Sequence, residues 1–365
     1  MRPYILLTPG PLTTSETVKS TMLKDWCTWD DEYNLDIVQD IRSELVGLAT
    51  CFPDDYTSVL MQGSGTYAVE GALTCSVPAD GKLLVLANGA YGDRMAEIAR
   101  YGRIRHEVVS FPETETLCPD TLDRFLDGHR DVTHVAFVHC ETTTGILNPL
   151  EALCLVVKKH GKVLVVDAMS SFGGIPFDAG RLGIDFLISS ANKCIQGVPG
   201  FGFIIARKEA LERCKGNATS LSLDIYGQWE TMEKKQGKWR FTSPTHVVRA
   251  FQQALKELRE EGGIAARHAR YKANHRVLTE GMARLGYTPL LPAEKQSPII
   301  TSFLYPGPAF CFEAFYNRLK QKGFVIYPGK ISQTDTFRIG TIGDVYGKDF
   351  EALIVAVESV LKPNE

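Results

Sequence analysis

The sequence has no excess of one charge, no long apolar run and no paired cysteines. Its 365 residues carry 40 Lys and Arg against 43 Asp and Glu, a net charge of −3. That balance gives no reason to expect nucleic acid or an anionic membrane as a partner. No apolar run approaches the roughly 18 residues that a membrane span needs. The first residues form a short apolar stretch broken by prolines, so we expect no signal peptide and a cytoplasmic protein.

The cysteines and histidines give no sign of a disulfide framework or a metal centre. The nine cysteines are scattered and odd in number, and no C-x-x-C occurs. Reduced thiols are therefore expected. The eight histidines are also scattered, without the spacing of metal ligands, so we predict no metal site. With 44% hydrophobic residues, the chain has the composition of a globular protein with a sizeable core.

Short apolar runs alternate with amphipathic segments through the first part of the chain. The predicted strands are 58–61, 83–87, 134–138, 163–166, 185–188 and 201–206. The predicted helices are 65–76, 91–101, 120–127 and 149–160. Several runs are apolar throughout, which is typical of strands covered by helices on both faces. We therefore predict an α/β fold with a mostly parallel sheet flanked by helices.

The pattern changes after residue 245. A long helix is predicted over 246–286, with a break near Glu261-Gly262-Gly263. The further predicted elements are an apolar run at 298–304, a helix at 310–322, strands at 324–327 and 335–340, and a final helix at 347–361. We predict three units: an N-terminal segment over 1–20, a large α/β domain over 21–264 and a small C-terminal α+β domain over 265–365.

Two charged residues follow predicted strands, where ligands bind in parallel α/β sheets. Asp167 closes the run Val163–Val166, and it could either meet a ligand or cap the next helix. Lys193 follows the strand 185–188 in a tight, small-residue turn. Desolvation there would lower its pKa and free the amine to form a Schiff base. An ordinary solvated lysine is the alternative.

Two loops after strands could hold a planar, phosphorylated ligand. Ser64, Gly65 and Thr66 lie between the strand 58–61 and a helix, where free N–H groups and hydroxyls could bind one phosphate. The loop is neither G-x-G-x-x-G nor a P-loop, and a simple helix cap is the alternative. Tyr91, framed by Gly89 and Gly92, could stack on a planar ring, or it could pack on its own helix.

Two further segments are less specific. The sequence HCETTTG follows the strand 134–138, and a catalytic pair of His139 and Cys140 is disfavoured because neighbours on a strand point to opposite faces. We interpret the segment as packing and hydrogen-bonding groups. Arg338 lies within an apolar strand and needs an anionic partner, either a structural carboxylate or a substrate.

Taken together, these residues describe one cofactor site. A phosphate loop, a stacking aromatic, a strand-end acid and a strand-end lysine are the parts that a pyridoxal phosphate site needs. The acid keeps the pyridine nitrogen protonated, and the lysine holds the aldehyde and later moves a proton. Their order along the alternating chain fits one site at one edge of the sheet.

The sequence resembles the class V aminotransferases, a branch of pyridoxal-phosphate fold type I. The segments that carry the resemblance are LLTPGPLT (6–13), CTWDDEY (27–33), LMQGSGTYAVE (60–70), NGAYG (88–92), HCETTTG (139–145), VVDAMSSFGG (165–174), SSANKCIQGVPGF (189–201), KWRFTSPTH (238–246), GFVIYPGK (323–330) and FRIGTIGD (337–344). They span nearly the whole chain. The segments that contain Lys193 and Arg338 are the most specific.

The resemblance implies a role for each motif residue. Lys193 would form the Schiff base and transfer the proton, and Asp167 would pair with the pyridine nitrogen. The implied cofactor-binding set is Ser64, Gly65, Thr66, Tyr91, Thr142, Asp167, Asn192, Lys193 and Thr242. Thr242 would reach the cofactor phosphate of a neighbouring subunit, which implies a homodimer with shared active sites. Arg338 would bind the substrate anion, and Gly10 and Pro11 would form one wall of the substrate pocket.

The implied reaction is transamination in phosphonate degradation. Within the family, the resemblance points to 2-aminoethylphosphonate as amino donor and pyruvate as acceptor, with phosphonoacetaldehyde and L-alanine as products. The alternatives are an alanine– or serine–glyoxylate aminotransferase and a cysteine desulfurase, the latter because Cys140 and Cys194 lie near the predicted site. A Rossmann-like nucleotide-binding module would explain the alternating strands, but it would not explain Asp167 and Lys193.

Overall fold

The computed structural model describes residues 4–329, 331 and 334–361. In these residues the strands are β1 (Ile5–Leu6), β2 (Tyr56–Gln62), β3 (Leu83–Ala87), β4 (His106–Ser110), β5 (His134–Val138), β6 (Cys140–Glu141), β7 (Ile146–Leu147), β8 (Val163–Asp167), β9 (Phe186–Ser190), β10 (Phe201–Arg207), β11 (Ile300–Leu304), β12 (Phe324–Val325), β13 (Tyr327–Pro328) and β14 (Thr336–Gly340).

The helices flank these strands along the whole described chain. They are α1 (Glu16–Ser20), α2 (Asp31–Tyr33), α3 (Asp40–Ala49), α4 (Gly65–Ser76), α5 (Ala90–Tyr101), α6 (Pro119–Gly128), α7 (Leu150–Lys159), α8 (Lys208–Glu212), α9 (Ile225–Lys234), α10 (Thr245–Glu261), α11 (Gly263–Arg284), α12 (Phe312–Gln321) and α13 (Gly347–Leu361). In the part of the chain that the structure covers, no helix is both long and apolar enough to cross a membrane.

A seven-stranded sheet forms the centre of the molecule, in the order β2-β10-β9-β8-β5-β3-β4. Strands β4, β3, β5, β8 and β9 pair in parallel, and β10 runs antiparallel to both β9 and β2. Six strands therefore share one direction, which confirms the predicted mostly parallel sheet. The carboxyl ends of these six strands meet at one edge, where ligands bind in folds of this class.

Helices cover both faces of the sheet because successive strand residues point to opposite sides. In β3, Val85 joins a core with α4 and α5, whereas Leu84 and Leu86 join a second core with α3, α6, α7 and α10. All five residues of β3 are buried. This burial on both faces is the reason that the strand reads as a continuous apolar run.

The strands and helices predicted for this region lie where the apolar runs placed them. One strand of the large sheet, β4, was missed, as were the short strands β6 and β7 and the helices α1, α2, α3, α8 and α9. Strand β4 lies at the edge of the sheet, and its residues are only partly buried. Its sequence, HEVVS, contains too few consecutive apolar residues to stand out as a buried strand. The exposure of the edge accounts for the missing signal, since one side of an edge strand contacts solvent.

The break in the long predicted helix is confirmed between α10 and α11. Gly262 and Gly263 have φ angles of 106° and 76°, a left-handed conformation that glycine adopts without steric cost. The predicted single strand at 324–327 is wrong as one unit. Residues Phe324–Val325 pair with β1, whereas Tyr327–Pro328 pair with β14, so the chain changes sheets at Ile326.

The C-terminal part has its own core. The antiparallel sheet β11-β14-β13 packs with α12, α13 and the end of α11, and Leu7 of the N-terminal segment joins this core. Strand β1 pairs with β12, and the chain then runs from β1 towards the edge of the large sheet. The predicted domain boundaries at residues 20 and 264 stay predictions.

Candidate active site

A cavity of about 210 Å³ lies at the edge of the large sheet where the parallel strands end. Its lining residues are Ser64, Gly65, Thr66, Val69, Tyr91, Arg94, Asp167, Met169, Ser190, Asn192, Lys193, Pro199 and Gly200. Seven residues that the sequence predicted for the cofactor are therefore brought together here. They come from four separate strand ends, so the topology of the sheet is what assembles them.

The predicted phosphate loop forms the N-terminus of α4. Ser64 is the N-cap residue, and its side chain makes no capping hydrogen bond to the helix. The first N–H groups of α4 and the hydroxyls of Ser64 and Thr66 can therefore face an anion, which the helix dipole also favours. Gly65 is packed against the Met169 side chain, and a β-carbon at this position would collide with the Met169 sulfur.

Asp167 is the last residue of β8 and is 5% exposed. Its Oδ1 accepts a hydrogen bond of 2.8 Å from the backbone N–H of Met169. Burial raises the pKa of Asp167 to about 6, although that bond and the charges of Lys193 and Arg94 oppose the rise. At neutral pH most of the carboxyl groups are thus ionised, and a buried carboxylate at a cavity wall attracts a cationic group.

Lys193 follows β9 and is half-buried at the cavity wall. Its Nζ donates a hydrogen bond of 2.9 Å to the carbonyl of Pro9. Burial lowers the pKa of the Lys193 ammonium below its ordinary value, which increases the share of neutral amine. A neutral amine next to a cavity can act as a nucleophile or as a base.

The N-terminal segment lies directly against the lysine. A β-carbon on Gly10, whose φ angle is 122°, would lie 2.8 Å from both the Asn192 carbonyl oxygen and Lys193 Cδ. Only glycine fits this close approach without a shift of the neighbouring atoms. Gly10 thus lies beside the cavity, Pro11 is exposed, and neither residue lines the cavity surface. The predicted wall of Gly10 and Pro11 stays a prediction.

Arg338 lies in the middle of β14 and is 4% exposed. Its Nε donates to the Pro328 carbonyl over 2.9 Å and its Nη1 to the Thr142 carbonyl over 2.8 Å. No carboxylate of the described residues forms an ion pair with Arg338. The sequence left two possible partners for Arg338, a structural carboxylate or a substrate anion. The described residues do not supply the carboxylate. Burial lowers the pKa of the Arg338 guanidinium because it disfavours the charged form. An anion bound next to the guanidinium would offset this cost.

Thr142 is 1% exposed and is not among the residues that line the cavity. Its carbonyl holds Arg338, but its Oγ1 is buried and has no hydrogen-bond partner among the described residues. Buried hydroxyls are rarely left in this state. A polar ligand within reach of this hydroxyl would satisfy it, and the predicted cofactor contact of Thr142 stays a prediction.

Glu141 is a residue of the site that the sequence interpretation missed. It is completely buried, and its Oε2 accepts hydrogen bonds from the backbone N–H groups of Tyr91 at 3.0 Å and Gly92 at 3.3 Å. Its Oε1 accepts one of 3.0 Å from the Thr143 hydroxyl. Burial raises the pKa of Glu141 to about 7. Glu141 thus caps the helix that carries Tyr91. Its position as an acid shortly after the predicted strand 134–138 could have indicated a role in the site.

Arg94 is the second residue of the site that was missed. It lies one turn after Tyr91 on α5, and its guanidinium carbon is 4.9 Å from the centroid of the Tyr91 ring. Its Nη1 donates to the Thr66 hydroxyl over a long 3.4 Å. The i, i+3 spacing from Tyr91 was the signal, because residues three apart lie on the same helix face.

Thr242 lies outside the cavity of its own chain. It is exposed and is not among the residues that line the pocket. The next residue, Ser243, is held by a hydrogen bond of 2.8 Å to the Tyr33 hydroxyl. The predicted contact of Thr242 with a partner subunit's cofactor stays a prediction.

The two cysteines near the lysine are buried. Cys194 directly follows Lys193, its Sγ contacts the Ser170 carbonyl at 3.3 Å, and it shares a small core with Cys140. Burial raises the pKa of each thiol to about 12. Thiolates, the reactive form, are therefore scarce at both positions at neutral pH.

Among the described residues, one group could hold a metal ion by distance alone. The ligand atoms of Asp123, Asp127 and His160 lie within 4.8 Å of one another. Lys159 already pairs with Asp123 at 2.7 Å, and Arg130 pairs with Asp127 at 3.1 Å. These two cations neutralise the carboxylates, and none of the three residues lines the cavity.

The fold and this cavity define an aminotransferase of one known family. Residues 53–330 match the family described as aminotransferase class-V. The chain belongs to the class V aminotransferases.

Within the family, the similarity to two curated relatives extends over the whole chain. The 2-aminoethylphosphonate–pyruvate transaminase of Bacteroides fragilis is 68% identical over 357 residues, covering 98% of this chain and 99% of that protein. The 2-aminoethylphosphonate–pyruvate transaminase of Phocaeicola vulgatus is 64% identical over 362 residues, covering 99% of this chain and 100% of that protein.

A solved structure shows the same fold at much lower sequence identity. The alanine–glyoxylate aminotransferase from Nostoc sp. superposes with a TM-score of 0.90 at 24% identity, covering 98% of this chain and 95% of that chain. The predicted α/β fold of the pyridoxal-phosphate fold type I enzymes is thereby confirmed.

Proposed function

We propose that this protein transfers the amino group of 2-aminoethylphosphonate to pyruvate, with pyridoxal phosphate as cofactor. The products would be phosphonoacetaldehyde and L-alanine. The observation that carries the proposal is the position of Asp167 and Lys193 in the same cavity as the N-terminus of α4. The names of the 68% and 64% identical relatives supply the substrates.

The residues of the cavity fit the cofactor. The N-terminus of α4, with Ser64 and Thr66, suits a phosphate group, and the buried Asp167 suits a protonated pyridine nitrogen. The orphaned hydroxyl of Thr142 would gain a partner next to the ring. Pyridoxal phosphate, when bound, supplies a protonated ring that withdraws electrons from the reacting carbon of the substrate.

Lys193 is proposed to move the proton. Its Nζ is already held at the cavity wall by the Pro9 carbonyl, and its lowered pKa makes neutral amine available. A neutral Nζ can take a proton from the substrate carbon and later return it at a neighbouring atom. The carboxylate of Asp167 supports this step because it stabilises positive charge on the ring nitrogen.

Arg338 is proposed to bind the acid group of both substrates. A buried guanidinium without a carboxylate partner in the described chain has a strong electrostatic demand for an anion. Guanidinium grips carboxylate and phosphonate with the same forked geometry. The hydrogen bonds to the Pro328 and Thr142 carbonyls fix the plane of the guanidinium. We propose that the same arginine binds the amino donor and then the amino acceptor.

We also propose a homodimer in which Thr242 completes the site of the partner. The surface beside the phosphate loop carries exposed apolar side chains: Tyr67 is 52% exposed, Phe241 51% and Leu221 70%. Tyr67 and Phe241 line one groove that also includes Ser64. An exposed apolar patch next to an active site is typical of an interface.

The cysteine desulfurase alternative is disfavoured by the burial of Cys140 and Cys194. A desulfurase needs a reactive thiolate that reaches the substrate, and burial raises the pKa of both thiols to about 12. The likeness to the alanine–glyoxylate enzyme lies below 25% identity and concerns the fold alone.

The test is an optical spectrum of the purified protein before and after addition of 2-aminoethylphosphonate. We expect a yellow protein that bleaches with the donor and regains its colour with pyruvate. The product is assayed directly as phosphonoacetaldehyde. A protein that bleaches with alanine or serine but not with 2-aminoethylphosphonate would overturn the proposed substrate.

The shared site is tested by mixing two inactive variants, Lys193→Ala and Thr242→Glu. In a mixed dimer, the subunit with an intact Lys193 receives an intact Thr242 from its partner, so activity should reappear. If Thr242 served its own chain, no site in the mixture would be complete and activity would stay absent.

A further inference from the structure

Arg94 is a cation of the cavity for which the reaction as proposed gives no role. It is half-buried on α5 and lines the cavity with Thr66 and Asp167. No carboxylate of the described residues lies within ion-pair distance of its guanidinium. Asp167 is the nearby acid and interacts with Arg94 only over a longer distance. A partly desolvated arginine without a direct ion pair indicates a place for an anion.

The contacts of Arg94 place it near the phosphate loop. Its Nη1 reaches the Thr66 hydroxyl at 3.4 Å, and its guanidinium lies over the Tyr91 ring at 4.9 Å. The ring restricts the guanidinium to one face, while the contact with Thr66 directs it towards the start of α4. The 3.4 Å bond is long for a hydrogen bond, so it is readily replaced by a stronger acceptor.

The phosphate loop itself supplies neutral donors only. Ser64, Gly65 and Thr66 carry no charge, and the helix dipole of α4 amounts to roughly half a positive charge. The other cation nearby, Lys193, is bonded to the Pro9 carbonyl. A phosphate monoester carries up to two negative charges at neutral pH, and a charge-assisted bond from arginine is the strong way to bind them.

We propose that Arg94 is a ligand of the cofactor phosphate. The inference rests on the proposed cofactor, pyridoxal phosphate. It goes beyond the predicted set of Ser64, Gly65, Thr66, Asn192 and Thr242 by adding the one charged group. The rival role for Arg94 is electrostatic support of Asp167, which lines the same cavity.

The test compares two ligands that differ only in the phosphate. Dissociation constants of pyridoxal phosphate and of pyridoxal are measured by equilibrium dialysis against the cofactor-free wild type and Arg94→Gln. We expect the variant to bind pyridoxal phosphate at least about tenfold more weakly, because it loses a charge-assisted hydrogen bond, with the affinity for pyridoxal unchanged within about twofold. Inorganic phosphate should compete with pyridoxal phosphate less well in the variant.

Two matched variants serve as controls. Arg100→Gln removes an exposed arginine from the same helix and should change neither constant. Arg94→Lys keeps a charge without the forked geometry, so it should bind pyridoxal phosphate better than Arg94→Gln. Circular dichroism of each variant establishes that α5 is folded before the constants are compared.

Each other outcome overturns the inference. If Arg94→Gln weakens the binding of pyridoxal phosphate and of pyridoxal equally, the role of Arg94 is electrostatic support of Asp167 or packing of α5. An unchanged constant for pyridoxal phosphate, or an Arg94→Lys variant no better than Arg94→Gln, would show that its charge does not bind phosphate. If the wild type binds neither ligand, the proposed cofactor fails instead, and that result is distinguishable from all the others.

Discussion

The Nη1 atom of Arg267 donates a hydrogen bond of 2.7 Å to the carbonyl of Cys194, the residue directly after Lys193. Arg267 is 1% exposed, and its Nε pairs with Glu261 at 2.7 Å. Glu261 also binds Arg270, whose Nη1 donates to the carbonyls of Gly343 and Val345. One carboxylate at the end of α10 thus organises two arginines. One supports the turn of Lys193, and the other supports the loop after β14.

Replacement of Arg267 by Met should destabilise the protein by roughly 3 kcal/mol, because it breaks a buried ion pair and removes the shorter of two hydrogen bonds to the Cys194 carbonyl, which keeps only the Tyr271 hydroxyl at 3.3 Å. The measurement is the unfolding transition in urea. Arg213→Met is the matched control, since Arg213 and its partner Glu209 are both exposed; it should cost less than about 1 kcal/mol. Equal effects of the two substitutions would contradict the buried role of Arg267.

Replacement of Lys193 by Ala should abolish turnover by about three orders of magnitude or more, while the cofactor is still bound without a covalent bond. Reduction with borohydride followed by digestion and peptide mapping should label residue 193 in the wild type and no residue in the variant. Lys272→Ala, at an exposed position of α11, should keep both the label and the activity. A label on another lysine of the wild type would disprove the assignment.

Replacement of Arg338 by Ala should raise KM for both substrates by at least about tenfold, because a charge-assisted hydrogen bond contributes about 1.5–3 kcal/mol. Steady-state kinetics with each substrate varied in turn measures the effect. Arg276→Ala, exposed on α11, should leave both values unchanged. An effect on only one of the two substrates would refute a common anion site.

Replacement of Glu141 by Gln should remove one pH-dependent contribution to stability. Burial raises the pKa of Glu141 from its ordinary value of 4.5 to about 7, so between these values this carboxyl binds more protons in the folded state than in the unfolded one. The stability of the wild type relative to Glu141→Gln should therefore fall as pH rises through that window, by on the order of 1 kcal/mol per unit. The measurement is urea unfolding of the cofactor-free protein at several pH values.

The amide introduced by Glu141→Gln would keep an oxygen for the Tyr91 and Gly92 N–H groups, so the comparison isolates the charge. Glu280→Gln on the exposed side of α11 is the control and should follow the wild type across the whole range. Parallel curves for Glu141→Gln and the wild type would show that Glu141 does not titrate in this window.

The sequence predicts the central part of this site well, because each residue follows a strand that is buried on both faces. Asp167 and Lys193 stand out because each follows an apolar run, Val163–Val166 in β8 and Phe186–Ile188 in β9. Strand β4 lacks that signal because it lies at the edge of the sheet. Burial of the strands on both faces is thus what makes the motifs visible.

The interactions of Arg94, Glu141 and Arg267 could not be predicted in the same way. Glu141 and Arg267 act through residues distant in sequence: Glu141 binds the N–H of Tyr91, and Arg267 binds the carbonyl of Cys194. Arg94 contacts Thr66 on another helix as well as Tyr91 on its own. Charged residues are common in the sequence, and only the tertiary packing selects these three. The contact of Gly10 with Lys193 likewise depends on how the N-terminal segment returns across the sheet edge.

Met169 links the two ends of the cavity through one residue. Its backbone N–H holds the Asp167 carboxylate, and its side chain packs on Gly65 at the start of α4. The distance between the Asp167 carboxylate and the start of α4 therefore depends on the packing of the Met169 side chain. If pyridoxal phosphate binds as proposed, we expect the cavity to discriminate ligands by length: an analogue with one more methylene between ring and phosphorus should bind more weakly, whereas exchange of the bridging oxygen for a methylene should preserve binding.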